Sequence, residues 1–156
     1  MRTREIEGKE YVEREDGVLI PASFVREREP IRMAEHGARL LVDEGMAEQE
    51  RFVVLTLDAN NSVIKKHTIT IGLVDQGLVH PRETFRPAIQ DNAVAIMVAH
   101  NHPSGNPEPS VSDLLTTRRL AKAGKILGIT VLDHLIVTKT GFSSLKEKYP
   151  DYFTAE

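Results

Sequence analysis

Two histidines in the second half of the sequence have the residue type and the spacing of metal ligands. His100 and His102 follow the apolar run AVAIMVA (93–99) and are separated by a single residue. Side chains at positions i and i+2 of an extended segment point to the same side, with Cα atoms roughly 6–7 Å apart. Two imidazoles placed in this way can bind one ion, and zinc accepts such nitrogen ligands.

Asp113 is the best candidate for a third ligand. It lies in the first turn of a predicted helix, after the loop HNHPSGNPEPS (100–110), which is long enough to fold back to the histidines. Two histidines and one carboxylate leave a fourth tetrahedral position for water, which is typical of catalytic zinc. The chain has no cysteine, so thiolate ligands are excluded. We therefore predict one Zn²⁺ per chain, held by His100, His102 and Asp113.

Each half of this pattern also has a purely structural explanation. An H-x-H pair arises readily by chance in a chain with six histidines. The spacing of Ser110 and Asp113 is that of a helix N-cap, in which a hydroxyl accepts from a free helical N–H and an acidic residue favours the first turn. Only the two halves together, at a strand end and a helix start, favour a metal site.

The composition sets limits on the function. A chain of 156 residues is long enough for one domain with a core, and its net charge of −3 gives no support to DNA association. No apolar stretch approaches the length of a membrane span, and the N-terminus lacks the apolar core of a signal peptide. We expect a cytoplasmic protein that does not associate with membranes. The sequence leaves open whether it is a monomer or a dimer.

Hydrophobic periodicity, together with capping and turn residues, predicts the elements that must position these side chains. Helices are predicted over about 31–45, closed by Gly45, and over 81–90, 110–127 and 143–148; strands are predicted over 51–57, 63–71, 93–99 and 129–138. The predicted fold class is α/β, an α+β sandwich in which a mostly mixed β-sheet is flanked by helices. Residues 1–30 are expected to form a charged arm or docking segment, and 31–156 the domain.

The motif and its flanks resemble a known family. HNHP (100–103) followed by Ser110 and Asp113 is similar to the H-x-H-P…S-x-x-D signature of JAMM (MPN+) metalloproteases. The segments VHPRETF (79–85), AHNHPSGNPEPSVSD (99–113) and LDHLIV (132–137) look like the bacterial RadC branch of that superfamily. The resemblance covers about residues 31–146 and implies a cytidine-deaminase-like MPN/JAB fold. RadC proteins normally carry an N-terminal helix-hairpin-helix segment, for which residues 1–30 leave no room.

The resemblance also implies catalytic roles. The family places a glutamate general base at the start of the first central strand, which corresponds to Glu50 and is preferred here over Glu48 and Glu83. It assigns the Ser110 hydroxyl a hydrogen bond to the oxyanion of a tetrahedral intermediate, a contact worth roughly 10²–10³ in rate. For a partner of a zinc ligand's other ring nitrogen, the sequence does not choose between Asp133 and His134.

The function predicted on these grounds is that of a zinc-dependent hydrolase, a metallopeptidase or isopeptidase acting on an unidentified peptide or protein. The alternative is a DNA-repair-associated accessory protein of the RadC type, whose zinc site is not used for proteolysis. A metal-dependent nuclease is less favoured, because a single site with two histidines and one carboxylate lacks the paired metals common in phosphodiester chemistry.

Overall fold

The computed structural model describes residues 2–13, 16–21, 30–72 and 79–154. The strands in these ranges are β1 (Arg2–Ile6), β2 (Lys9–Glu13), β3 (Leu19–Pro21), β4 (Arg51–Leu57), β5 (Val63–Ile71), β6 (Ala95–Asn101), β7 (Thr130–Val137) and β8 (Phe142–Ser144). The helices are α1 (Ala34–Arg39), α2 (Val42–Met46), α3 (Pro81–Gln90), α4 (Val111–Leu127) and α5 (Leu145–Lys148), followed by a 3-10 turn at Pro150–Phe153.

The central feature is a five-stranded mixed sheet in the order β5-β4-β6-β7-β8. Its neighbouring strands are antiparallel except β6 and β7, which are parallel. Parallel neighbours need a crossover connection, and the 17-residue helix α4 provides it. The strands β6 and β7 therefore end at the same edge of the sheet, where the antiparallel β4 begins. The predicted fold class, a mixed sheet flanked by helices, is confirmed.

Helices cover both faces of this sheet, which explains its nearly continuous apolar strands. On one face Ala34 of α1 and the fully buried Leu41 pack in a cluster with side chains of β4, β6 and β7. On the other face Phe85 of α3 and Leu120 of α4 pack with alternate residues of the same strands. Every residue of β6 is buried, including His100 at its end.

The predicted boundaries of one helix and one strand are wrong. The predicted helix over 31–45 is two short helices, because the chain turns at Leu40 and at Leu41, which is wholly buried. Gly45 does not close a helix but lies inside α2, where an added Cβ would be 2.7 Å from the carbonyl oxygen of Thr138. The predicted strand over 93–99 is displaced and ends at Asn101, because the ladder with β7 continues to Val137.

Some strands have no counterpart in the predicted pattern. The described part of the first thirty residues includes a three-stranded antiparallel sheet in the order β1-β2-β3, and β1 is exposed along its whole length. Strand β8 pairs with the end of β7 just before α5, so the helix expected over 143–148 begins only at Leu145. Among the described helices, none has both the length and the apolar character required to cross a bilayer.

Asp91 joins three elements on the sheet. Asp91 directly follows α3. Its Oδ2 accepts a hydrogen bond from Thr56 Oγ1 of β4 at 2.7 Å and lies 2.6 Å from His67 Nε2 of β5. Burial alone would raise the pKa of Asp91, but the hydrogen bonds with His67 and Thr56 outweigh it and lower that pKa. The ionised carboxylate is therefore favoured in the folded chain.

This network predicts a pH-dependent contribution to stability. A carboxyl whose pKa is lowered by folding stabilises the native state above its unfolded pKa of about 4, and the contribution is lost as the pH falls toward the folded pKa. Asp91→Asn should lower the free energy of unfolding by about 1 kcal/mol at neutral pH, and much less near pH 3. Urea unfolding followed by circular dichroism measures this, with the exposed Asp151→Asn as control. An equal loss at both pH values would contradict the assignment.

Candidate metal centre

Three chain segments meet at the edge where β6 and β7 end. Strand β6 delivers His100 as its penultimate residue, and His102 follows directly after the strand. Helix α4 delivers Asp113 in its first turn. The start of β4 lies beside the end of β6, because Phe52 is paired with His100. The topology thus gathers the metal-ligand candidates of the sequence, which are up to 13 residues apart.

The side chains of His100, His102 and Asp113 converge. His100 Nε2 lies 2.9 Å from His102 Nε2 and 3.3 Å from Asp113 Oδ1. His102 Nε2 lies 3.4 Å from Asp113 Oδ2. One potential ligand atom of each residue lies within 4.8 Å of those of the other two. His100 is buried, whereas His102 and Asp113 are half-buried.

This cluster fits a zinc ion in both donor type and size. Imidazole nitrogen and carboxylate oxygen are ligands that zinc accepts, and donors at about 2.0–2.1 Å in tetrahedral geometry are about 3.3–3.4 Å apart. The separation of the two imidazole nitrogens, 2.9 Å, and those from each imidazole to one oxygen of the carboxylate, 3.3 and 3.4 Å, are close to that edge length. The residues predicted to hold the metal are therefore brought together in an arrangement that can do so.

The electrostatics of the cluster favour a cation. Burial alone would raise the pKa of Asp113, but hydrogen bonds with His100 and His102 outweigh it and hold that pKa well below its ordinary value. The pKa of His102 is raised, mainly by its hydrogen bond with Asp113 and further by the charge of Glu50. The ionised form of Asp113 is thus favoured beside the two imidazoles.

Ser110 and Asp113 form a reciprocal capping box at the start of α4. The backbone N–H of Asp113 donates to Ser110 Oγ at 3.0 Å, and the backbone N–H of Ser110 donates to Asp113 Oδ2 at 2.9 Å. The helix start therefore orients the carboxylate toward the histidines. Ser110 is exposed, and its hydroxyl uses only a lone pair in the cap, so its proton can be donated elsewhere.

Glu50 directly precedes β4, and the strand register indicates where it lies. Phe52 is paired with His100 in the antiparallel ladder. Extending this register by two residues places Glu50 across from His102, on the same face of the sheet as both histidines. Its half-buried side chain is also close enough for its charge to raise the pKa of His102. By contrast, Glu48 and Glu83 are exposed.

Asn101 holds the segment that carries Glu50. Its fully buried side chain lies on the face opposite to the imidazoles and makes three hydrogen bonds, two with the chain before β4 and one with the first residue of β4. The amide Nδ2 donates to the carbonyls of Ala47 at 3.3 Å and Gln49 at 2.9 Å, and Oδ1 accepts from the Arg51 N–H at 2.6 Å. The residue between the two histidines is thus the anchor of the neighbouring strand start.

The structure also distinguishes Asp133 from His134. Asp133 turns away from the cluster and accepts hydrogen bonds from Ser144 Oγ and from the backbone N–H of Lys146. His134 lies behind His100, with its Nε2 2.7 Å from His100 Nδ1. Burial lowers the pKa of His134 well below its ordinary value, and the nearby His100 contributes, so the neutral form of the ring is favoured.

Two further neighbours of the cluster were missed by the sequence reasoning. Thr117 lies one helical turn after Asp113 and contacts the far side of His134 at 2.6 Å. The ring of Phe52 is stacked on His100 with a centroid distance of 6.4 Å and an interplanar angle of 14°. The i+4 spacing from Asp113 was the available signal for Thr117, whereas the position of Phe52 depends on the β4–β6 register alone.

The fold and the cluster together define a class: a mixed sheet flanked by helices, with a histidine and carboxylate metal-ligand set at the sheet edge. Residues 31–149 match the family model of the RadC-like JAB domain. The chain therefore belongs to the RadC-like JAB domain family, which confirms the resemblance found in the HNHP motif and its flanks.

Individual relatives agree with this assignment. The chain is similar to a UPF0758 protein of Methanospirillum hungatei, with 52% identity over 124 residues that cover 77% of this chain and 55% of the relative. It is 48% identical over 129 residues to a UPF0758 protein of Listeria monocytogenes, covering 81% and 58%. A UPF0758 protein of Geobacillus thermodenitrificans is 44% identical over 133 residues, covering 85% and 59%. The chain thus spans little more than half the length of these curated relatives.

Removing the Asn101 anchor should loosen the start of β4. Asn101→Ala leaves buried backbone groups without partners, and three lost hydrogen bonds should lower the free energy of unfolding by about 2–4 kcal/mol. Hydrogen exchange should become faster over residues 47–51 in particular, as measured by mass spectrometry. Asn60→Ala, in the exposed turn between β4 and β5, is the control. Unchanged exchange of the Arg51 amide in Asn101→Ala would show that the anchor does not hold this segment.

Proposed function

We propose that this chain is a zinc-dependent hydrolase of the metallopeptidase or isopeptidase type. The observation that carries the proposal is the convergence of His100, His102 and Asp113 on one point, with Glu50 across from His102 in the extended β4–β6 register. Metal-assisted hydrolysis requires a small set of ligands with an open side and a nearby base, and these residues supply both. The substrate class follows from the family resemblance, and the substrate is a peptide or isopeptide carbonyl.

In this proposal His100, His102 and Asp113 hold the zinc ion. When bound there, zinc supplies a Lewis acid that acidifies water and polarises the carbonyl of the scissile bond. The ligands are suited to this role because the anionic Asp113 offsets part of the charge of the ion, while the two imidazoles offer nitrogen donors. The half-buried positions of His102 and Asp113 leave one side open to the substrate.

Glu50 acts as the general base and then as the general acid. Its carboxylate takes a proton from the attacking water and returns it to the nitrogen of the leaving amine, so the proton count balances over the reaction. A carboxylate opposite His102 lies on the same face of the sheet as the ligands, which is where a water molecule in the site must be deprotonated. Glu48 and Glu83 are exposed, and no equivalent register relates them to the ligands.

Ser110 donates its hydroxyl proton to the carbonyl oxygen as negative charge develops on it. The capping interaction does not prevent this, because Ser110 Oγ accepts from the Asp113 N–H and keeps its own proton. The same capping box holds Oγ in place before substrate binds, and a preorganised donor needs no reorganisation during the reaction.

Metal binding tests the ligand assignment directly. The wild-type chain, prepared without chelators, should contain about one zinc ion per chain by elemental analysis. His100→Ala should reduce the zinc content at least roughly tenfold, because two remaining ligands do not form a stable site. His36→Ala is a matched control, since His36 lies in α1 and its Nδ1 accepts from the Arg32 N–H. A wild-type chain that binds no zinc would overturn the proposal.

Catalysis tests the roles of Glu50 and Ser110. Glu50→Gln should keep its zinc and lose turnover by roughly 10²–10⁴-fold, because the amide cannot take up the proton. Ser110→Ala should also keep its zinc and be slower by roughly 10²–10³-fold. The substrate is unidentified, so the assay is cleavage of an unbiased peptide library in the presence of zinc, read by mass spectrometry. Glu48→Gln, two residues earlier, is the control and should remain fully active.

The same assay separates the two function classes. Full activity in Glu50→Gln would refute the assignment of the base. A zinc-loaded wild-type chain that cleaves neither peptides nor isopeptide-linked substrates would favour the accessory role without proteolysis. DNA binding would then be measured on that same preparation. The net charge of −3 provides no general attraction to phosphate, so binding that is found would have to come from a specific surface of the protein.

A further inference from the structure

The solvent-facing side of α4 carries a row of exposed side chains, which we call the α4 stripe. Helical positions three or four residues apart lie on the same side of a helix. The α4 stripe follows this spacing over roughly 22 Å, at a rise of about 1.5 Å per residue. The buried residues of α4 lie on the opposite side, against the sheet. The members of the stripe are Val111, Leu115, Arg119, Lys122 and Ile126.

Three members of the α4 stripe are apolar. Ile126 is 87% exposed and Val111 73%, the two highest values among the large hydrophobic side chains of the described ranges, and Leu115 is 54% exposed. Single exposed apolar residues are common on protein surfaces and need no explanation. Apolar residues that recur on one side of a helix are different, because they are typical of a surface that another segment covers.

The middle of the α4 stripe is basic. Within the part of the chain that the structure describes, neither Arg119 nor Lys122 has an ion-pair partner. No acidic residue follows Asp113 in α4, so these cations lack the acidic neighbours at i, i+4 that commonly balance an exposed helix. The chain has a net charge of −3, yet α3 and α4 together contain six basic and two acidic residues. The cations of the stripe are therefore available to an external anion.

From this pattern we propose that the α4 stripe docks an acidic amphipathic segment of the polypeptide substrate. Carboxylates of the segment pair with Arg119 and Lys122, and its apolar side chains cover the apolar residues on either side of these cations. Val111 directly follows Ser110, so the stripe begins at the candidate metal centre and a segment bound along it leads to the ligands. The proposal rests on the proposed function and adds to it the class of polypeptide that the site selects.

The mixed chemistry of the α4 stripe favours this occupant over others. A second copy of α4, packed antiparallel and centred on the stripe, sets the basic middle of one chain against the basic middle of its partner, which is repulsive. The backbone of a nucleic acid matches the two cations but leaves the apolar residues, Ile126 above all, facing phosphates. A polypeptide supplies carboxylates and apolar side chains side by side in one segment, as the stripe requires.

Docking can be measured with two designed helical peptides labelled with fluorescein. One, the Glu peptide, carries Leu at the outer positions and Glu at the two inner positions of a face with the spacing of the α4 stripe. In the other, the Lys peptide, both Glu are replaced by Lys. Fluorescence anisotropy measures their affinity for the zinc-loaded full chain carrying Glu50→Gln, which removes the proposed base and so prevents cleavage of the probe.

The Glu peptide should bind more tightly than the Lys peptide. The double variant Arg119→Glu/Lys122→Glu should weaken the Glu peptide roughly tenfold or more, since two favourable charge pairs become repulsive, and it should strengthen the Lys peptide. The matched control is Arg32→Glu/Lys139→Glu, which changes the net charge equally at two exposed positions off the stripe and should leave both affinities within about twofold. Circular dichroism verifies that each variant is folded.

The apolar part of the α4 stripe has its own variant. Ile126→Ser removes an exposed side chain that the fold does not bury, and it should weaken the Glu peptide roughly three- to tenfold. Ile71→Ser, at a 63% exposed position on β5, is the control and should bind like the unsubstituted stripe.

Several results would overturn the inference. One is equal affinity of the Glu peptide for the unsubstituted stripe and for Arg119→Glu/Lys122→Glu. Others are tighter binding of duplex DNA or of phosphatidylserine vesicles than of the Glu peptide at the same salt concentration, and a dimer in light scattering that Ile126→Ser dissociates. A chain that cleaves the peptide library without binding the Glu peptide at the stripe would refute this inference alone. A chain that binds the Glu peptide at the stripe but neither binds zinc nor cleaves would instead refute the proposed function.

Discussion

The antiparallel register between β4 and β6 is the constraint on which the rest of the site depends. It pairs Phe52 with His100, stacks the phenyl ring on the imidazole and, when extended, places Glu50 across from His102. A shift by one residue would move Glu50 to the opposite face of the sheet, because side chains alternate with a period of two. The buried Asn101 opposes such a shift, since its amide is bonded to three backbone groups of the segment that leads into β4.

The crossover through α4 supplies the other half of the site. A parallel β6–β7 pair requires the chain to leave one edge of the sheet and return at the other, and α4 begins at the edge where β6 ends. The capping box that starts this helix is also the arrangement that orients the carboxylate of Asp113. Folding of the helix start and assembly of the ligand set therefore use the same two hydrogen bonds.

Burial explains why the polar groups behind the cluster are so strictly paired. His134 and Thr117 lie under α4, where an unpaired polar atom is costly, and each of their side-chain polar atoms has a partner. A network of this kind is rigid, since moving any member would strand its neighbour.

Much of the local structure, and the candidate ligand set, could be predicted from the sequence. The spacing of His100 and His102, the helix start at Ser110 and the apolar strands depend on short-range periodicity and capping, which the residues themselves encode. The tertiary structure alone decided which distant groups meet them. Glu50 was assigned beforehand only through the family resemblance, and it is the β4–β6 pair that brings it, Asn101 and Phe52 near the histidines. The choice of His134 over Asp133 depends on which face of β7 lies under α4. These contacts join segments that are far apart in the chain, and strand register and helix packing determine them. A local sequence pattern carries no information about such contacts. The split between α1 and α2 arose in the same way, because burial of Leu41 against the sheet overrode the helical periodicity.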